Sequence, residues 1–507
     1  MSYQLQAART LRKVPNFLRA ATAINPAVAS ESDLEKLSPG DFDRIASAAR
    51  HTAVLIDNGV DEATASTVAT SFATDWRVPE SVDELRGLFN DTKAAHEAFF
   101  NSIANNTSST WDDTIGQFEE CARFVAPRVT LFSFVQMVHV DKAMRDCAME
   151  MEQQWGDYEV SAWTREDVFA GARHFDSNDD SLTEAQKRAA KKVFDKFRDN
   201  GFAENVSAEN REKLREILQK ISKLEIEFSR NLSEDETQLL CDVAELRGMP
   251  VEFLESLPDK EGKKVLKVGD YPVYFPLMRQ CKNIDLRRRV EEAFQTRCKE
   301  SNLPILTQVV QLRKQAADLL GYPSHSHVVL STEMAQTPER VAEFEAEVLS
   351  KLDAPLQRDL FKLKEAKFSD QEAWVNTPRP ASAEEVEVHA HDWRFYCARV
   401  EEQELNLDEE QVKQYFPLEH VIDATLSLYQ SLLQLRFTCV ADAPVTWLGE
   451  NDAGKASVKY YAVSDARDAT ETPLGYFYLD LHPRQGKYGH ACMMDLRSGL
   501  GVQMDSP

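Results

Sequence analysis

Apolar residues recur at spacings of three and four along most of this chain, the period that places them on one face of a helix. Phe118, Cys121, Val125 and Val129 follow it inside a run of helices expected from Trp76 to Trp163. Thr183 and Gln186 form a capping box ahead of Val193, Phe194 and Phe197, with Gly201 as the stop. The longest stripe is Leu214, Ile217, Leu218, Ile221, Leu224 and Phe228, with charges opposite, the pattern of a helix-packing surface. Further helices are expected through Arg287–Phe294 and Leu306–Leu319. Two stretches break the period. Residues 236–276 carry Met249-Pro250, Leu257-Pro258 and the run Lys264–Val268, which predict loops and short strands. Near the end, Val458–Val463 and Tyr476–Leu479 are β-prone runs that would pair as a hairpin across Ser464–Thr472. The expectation is a mainly α fold with a small β element near the C-terminus. An edge strand in such a body suits an extended peptide, because its backbone groups grip without reading sequence.

Composition narrows the classes. At 507 residues the chain holds about three domains, or two larger ones, at roughly 150 residues each. Its net charge of −25, from 59 basic and 84 acidic residues, excludes the basic footprint of a nucleic-acid binder. The eight cysteines, at 121, 147, 241, 281, 298, 397, 439 and 492, form no CxxC pair and suit reduced thiols. No apolar run is long enough to span a bilayer, so no membrane partner is expected. The first 30 residues hold Arg9, Arg12, Lys13 and Arg19 and no acid, which fits either a mitochondrial transit segment or a flexible basic tail. Arg287, Arg288 and Arg289, beside Glu291 and Glu292, are expected on a solvated helix face. Asn376–Ser382 is the clearest linker.

Candidate chemistry is sparse. Asp176, Asn178 and Asp180 imitate a calcium loop, but Ser181 and Lys187 stand where glycine and glutamate are needed. Of the eleven histidines, His96 precedes Glu97 but has Phe100 in place of a second ligand. The pairs His325/His327 and His389/His391 are two apart, and no pair has the one-turn spacing of a helical zinc motif. No GxSxG elbow or phosphate loop is present. What remains is the loop Arg484–His490, where Gly486 and Gly489 flank Lys487-Tyr488 and free the backbone for close approach. A tight turn closing the hairpin accounts for the same residues.

Several segments resemble one family. They are FSRNLSED (Phe228–Asp235), Tyr274–Asn302, Leu312–Ala335, Asp392–Tyr396, Gln414–Pro417 and above all GYFYLDLHPRQGKYGHAC (Gly475–Cys492). Together they are similar to the thimet oligopeptidase and neurolysin family of zinc metalloendopeptidases across Trp76–Gly501. Ser326, His327 and Val328 depart from that family's usual residues. The resemblance implies a two-domain helical fold with a channel admitting short peptides, a monomer, and intracellular peptide turnover. It implies a cytoplasmic protein, or a mitochondrial one if the basic segment is a leader. Its members continue into a helix bearing His-Glu-x-x-His, whereas this sequence stops at Pro507. The expectation is therefore a truncated chain that lacks the catalytic C-terminal part. It would have no catalytic or metal residues of its own, bind no zinc although the full-length family uses it, be inactive alone, and leave apolar helix faces uncovered. Substrate binding is assigned to Gly486, Tyr488, Gly489 and His490, since family members place this segment beside the channel. The expected organisation is residues 1–30 as the basic segment, 31–75 as a helical extension, 76–375 as the helical oligopeptidase-like region, and 376–507 as helices ending in the hairpin. The alternatives are a non-catalytic peptide-binding or regulatory pseudo-peptidase and a helical interaction scaffold.

Overall fold

The computed structural model describes residues 78–496, except 178, 406–408, 442–446, 449–457, 469–472, 485 and 490, together with scattered positions before residue 78. The expected basic segment and most of the 31–75 extension lie outside the described residues.

Helices dominate, and their ends follow local chemistry. Helix α1 (Val82–Ala104) starts at Ser81, whose side chain accepts from Glu84 N–H, with Asp83 and Glu84 in the first turn to complement the helix dipole. Helix α2 (Ile115–Val138) and α3 (Lys142–Trp163), the latter capped by Asp141, pack with α1. Their shared core is unusually aromatic: Phe99, Phe100, Phe118, Phe124, Phe132, Trp155 and Trp163 are all buried. Helix α4 (Glu166–Ala172) lies so close to α1 that a Cβ on Gly171 would sit 1.9 Å from the Ile103 carbonyl oxygen. Helix α5 (Glu184–Phe197) has both bonds of the expected Thr183–Gln186 capping box. It ends in a π turn where Gly201 takes a φ of +94°.

The long stripe is helix α6 (Ala208–Ser233). Its Ile221 is buried with Ile305, Val309 and Leu312 of a later helix, so the stripe is packing surface, as its period implies. The 236–276 stretch forms an antiparallel sheet of β1 (Gln238–Cys241), β2 (Asp259–Lys260) and β3 (Lys263–Lys267), in the order β1-β3-β2. Helix α7 (Val251–Ser256) interrupts it, and α8 (Tyr271–Gln280) and α9 (Ile284–Gln295) follow. Next come α10 (Lys299–Leu319), α11 (His325–Leu330), α12 (Pro338–Ser369), α13 (Ala390–Leu405), α14 (Glu409–Lys413) and α15 (Leu418–Leu433). The linker expected at Asn376–Ser382 falls between short 3-10 turns that separate α12 from α13.

Arg287 is not on a solvated face. It is 1% exposed, donating from Nη1 to the Cys281 carbonyl at 2.7 Å and from Nε to the His391 carbonyl at 3.1 Å. Asp392, fully buried on α13, lies 3.5 Å from Arg287 Nη2 and 2.6 Å from Lys367 Nζ of α12. Helices α9, α12 and α13 thus meet around three buried charges. Arg288 and Arg289 do stay near the surface, paired with Asp285 and Glu245.

The final sheet has three antiparallel strands, β4 (Leu435–Cys439), β5 (Lys459–Asp465) and β6 (Pro473–Leu479), with β5 central. The expected hairpin is β5–β6, in register Tyr460↔Tyr478 and Ala462↔Tyr476, with an irregularity at Val463/Ser464. Trp447, Leu448 and Val458, around this sheet, are buried in the same core as α1–α5. The sheet is therefore fixed to the aromatic helical body.

Candidate functional site

Strand β6 is the edge of its sheet, and among the described residues no further strand pairs with it. Its whole length lines a cleft with a volume of about 2830 Å³. The other walls come from the end of α2, the start of α3, the second half of α6, and the turn from β3 into α8. The loop after β6 forms the remaining side, and Gly486, Tyr488 and Gly489 all face the cleft. His490, the fourth residue expected there, lies outside the described residues.

The loop is held by charge-assisted hydrogen bonds. Asp480 pairs with Arg484 at 2.8 Å and with Lys487 at 2.9 Å. Lys487 also donates to the Asp480 and His482 carbonyls, each at 2.8 Å. The partner on the far side is the C-terminus of α2, whose last carbonyls have no acceptor role within the helix. Tyr488 N–H donates to the Met137 carbonyl at 2.7 Å, and Arg484 Nη2 to the Val138 carbonyl at 2.8 Å. Arg145 Nη1 donates to the carbonyls of His139 and Val140, at 2.7 and 2.9 Å. Two cations at a helix C-terminus also suit its dipole. Burial holds the nearby His139 imidazole below its ordinary value against the pull of Asp141, and its Nδ1 accepts from Asp141 N–H at 3.1 Å.

The two glycines differ. Gly486 has a φ of +78°, and a Cβ there would lie 2.4 Å from Arg145 Nη1. Gly489 is not among the positive-φ residues, and its Cβ would meet nothing closer than Tyr271 at 3.9 Å. The left-handed conformation and the close approach therefore belong to Gly486, while at Gly489 the backbone has room.

The cations of the cleft wall are already committed within the chain. Lys142 pairs with Asp146 at 2.8 Å and Lys267 with Glu236 at 3.0 Å. Arg484 and Lys487 share Asp480. In the same wall, Arg145 and Arg297 donate to backbone carbonyls. What it presents is a strand edge flanked by aromatic rings.

The histidines fall elsewhere. His96 is buried in α1, its Nδ1 2.8 Å from the Tyr158 hydroxyl and its ring 4.1 Å from that of Phe100. Burial, with lesser contributions from Lys196 and Arg165, lowers it to about 3, so it is a neutral core residue. His327 is tied to Ser324 at the start of α11, and His389 stacks on His391 at 5.4 Å beside the buried Asp392. Among the described residues no three His, Cys, Asp or Glu side chains converge as metal ligands.

The fold is thus a mainly helical body with a cleft bordered by a strand edge. Residues 277–506 match the family model described as Peptidase family M3. The chain is 31% identical over 374 residues to a thimet-like oligopeptidase of Dictyostelium discoideum, covering 72% of this chain and 54% of that protein. It is 27% identical over 430 residues to saccharolysin of Saccharomyces cerevisiae, covering 83% of this chain and 58% of the relative. It is 23% identical over 410 residues to oligopeptidase A of Escherichia coli, at 78% and 57% coverage. Over residues 277–506 the chain is a peptidase family M3 sequence. It spans about half the length of the curated relatives it matches. Among the described residues no helix is long and apolar enough to cross a membrane.

Proposed function

We propose that this chain is the peptide-binding body of an oligopeptidase, and that the cleft bordered by β6 holds short peptides in extended form. The observation that carries this is the edge position of β6 along the full length of the cleft. A peptide laid beside it would complete the sheet by backbone hydrogen bonds, so selectivity in sequence would be broad. The loop Asp480–Gly489, clamped to the end of α2, keeps that edge in place, and Gly486, Tyr488 and Gly489 would border the bound chain. Hydrolysis in the whole protein would follow the zinc-dependent chemistry of its family.

Isothermal titration of the 507-residue chain with unstructured peptides, and with a folded protein of similar composition, tests the reading. Binding of short peptides with little dependence on their sequence, and none of the folded protein, is expected. Failure of every peptide to bind, or equal binding of the folded protein, would contradict it.

A further inference from the structure

The hydrogen-bonding edge of β6 explains how a peptide backbone is held, but the strand also carries a row of rings that a backbone clamp does not need. The row begins deep in the helical body. Phe134 of α2 meets Trp447 edge-on at 5.2 Å, and Trp447 meets Tyr478 edge-on at 5.1 Å. Tyr478 stacks on Tyr460 at 4.3 Å, and Tyr460 stacks on Tyr476 at 5.4 Å with the planes 14° apart. Exposure changes along the row from 1% at Trp447 to 56% at Tyr476, where it ends in the cleft. Packing alone explains the buried rings. It does not explain a large ring left half-open at the end of the stack, on the strand that borders the cleft.

Side chains alternate between the two faces of a strand, so Tyr476 and Tyr478 share one face and Phe477 occupies the other. On the Phe477 side, that ring is engaged with Tyr461 at 5.2 Å and Phe437 at 5.8 Å, and Gly475 offers no side chain. A peptide strand added beside β6 places its own side chains opposite and diagonal to those of β6, within reach of aromatic groups. A ring on the Tyr476 side would lengthen a stack whose geometry is already set by Tyr460.

Resting on the peptide-binding reading above, we infer that Tyr476 is a specificity-determining residue that selects an aromatic side chain on the bound peptide. The backbone contact is sequence-tolerant, and this position adds a preference at one residue. Offset aromatic pairs gain beyond simple area burial, which corresponds to roughly two- to tenfold in affinity.

The test uses the 507-residue chain and an alanine hexapeptide series with one position replaced in turn by Tyr, Leu or Arg, measured by titration calorimetry. The best Tyr peptide should bind roughly two- to tenfold more tightly than its Leu counterpart. Tyr476→Leu should close that gap, and Tyr476→Phe should keep it. A gap that survives Tyr476→Leu, an Arg peptide that gains as much as the Tyr peptide, or an equal loss for all peptides would overturn the inference. Equal binding of Tyr and Leu peptides to the native chain would defeat this inference alone. Failure of all peptides to bind would defeat it together with the reading beneath it.

Discussion

Two parts of this molecule solve the same packing problem differently. The body formed by α1–α5 turns amphipathic helices inward on one another. Phe118 stacks on Trp163 at 5.4 Å, Trp163 meets Phe197 at 5.0 Å, and Phe100 lies edge-on to both Phe118 and Trp163. The region of α9, α12 and α13 is joined instead by the Arg287–Asp392–Lys367 cluster, with Arg287 also lying 4.0 Å over the Phe395 ring. Leu363, Phe395 and Tyr396 are buried there, but a further apolar stripe on α12 points outward. Phe344, Val348, Leu352 and Leu356 of α12 repeat every four residues and are exposed, Phe344 by 67%, and α15 exposes Leu428, Leu432 and Leu433. The lesson is that a helical period marks an apolar face without saying what covers it. The cleft lies where the closed region meets the final sheet.

The largest effect is expected at the charged junction. Asp392→Ala would leave Arg287 and Lys367 buried without their anion, a loss of about 3–5 kcal/mol in chemical denaturation. A loss below about 1 kcal/mol would show that water reaches the cluster and that the junction is not held as described.

Acidification probes the aromatic body. The His96 imidazole protonates near 6.5 when unfolded and only at about 3 when buried. Between those values the unfolded state binds more protons, so stability rises with pH through this window and falls on acidification. Melting curves from pH 7 to 4 should show that slope, and His96→Gln should flatten it. An unchanged slope in the variant would remove His96 from the account.

A smaller effect separates the two loop glycines. Gly486→Ala must adopt a left-handed backbone and displace Arg145 from the His139 and Val140 carbonyls, a cost of about 1–2 kcal/mol. Gly489→Ala meets only ordinary contact with Tyr271 and should lie within about 0.5 kcal/mol of the native chain. The reverse order in melting temperature would contradict the loop geometry. The smallest shift in stability is expected on the open face, where Leu352→Ser should change folding by less than about 0.5 kcal/mol while reducing self-association seen by light scattering.

Much of the helical framework was legible in the sequence because its signals are local. The Thr183–Gln186 box, the Leu214–Phe228 stripe and the β5–β6 hairpin all depend on neighbours within a few residues or on one strand partner. What the sequence hid was set by distant partners. Arg484 looked like part of a turn, yet its guanidinium serves Val138, a residue 346 positions away. Arg287 sat in a charged run that implied solvent, and only the arrival of α12 and α13 buries it. Strand β4 (Leu435–Cys439) was not foreseen, since five residues following α15 carry no turn signal of their own. The glycines at 486 and 489 were both visible, but which one takes positive φ depends on how the loop meets Arg145.

The central claim is that an extended peptide pairs with the edge of β6. Backbone amide hydrogen exchange of the 507-residue chain, with and without a saturating short peptide, tests it most directly. The account predicts added protection concentrated in Pro473–Leu481, with smaller changes in the Arg484–Gly489 loop and none in α12 or α15. Protection confined to the exposed faces of α12 and α15, with β6 exchanging as before, would contradict it.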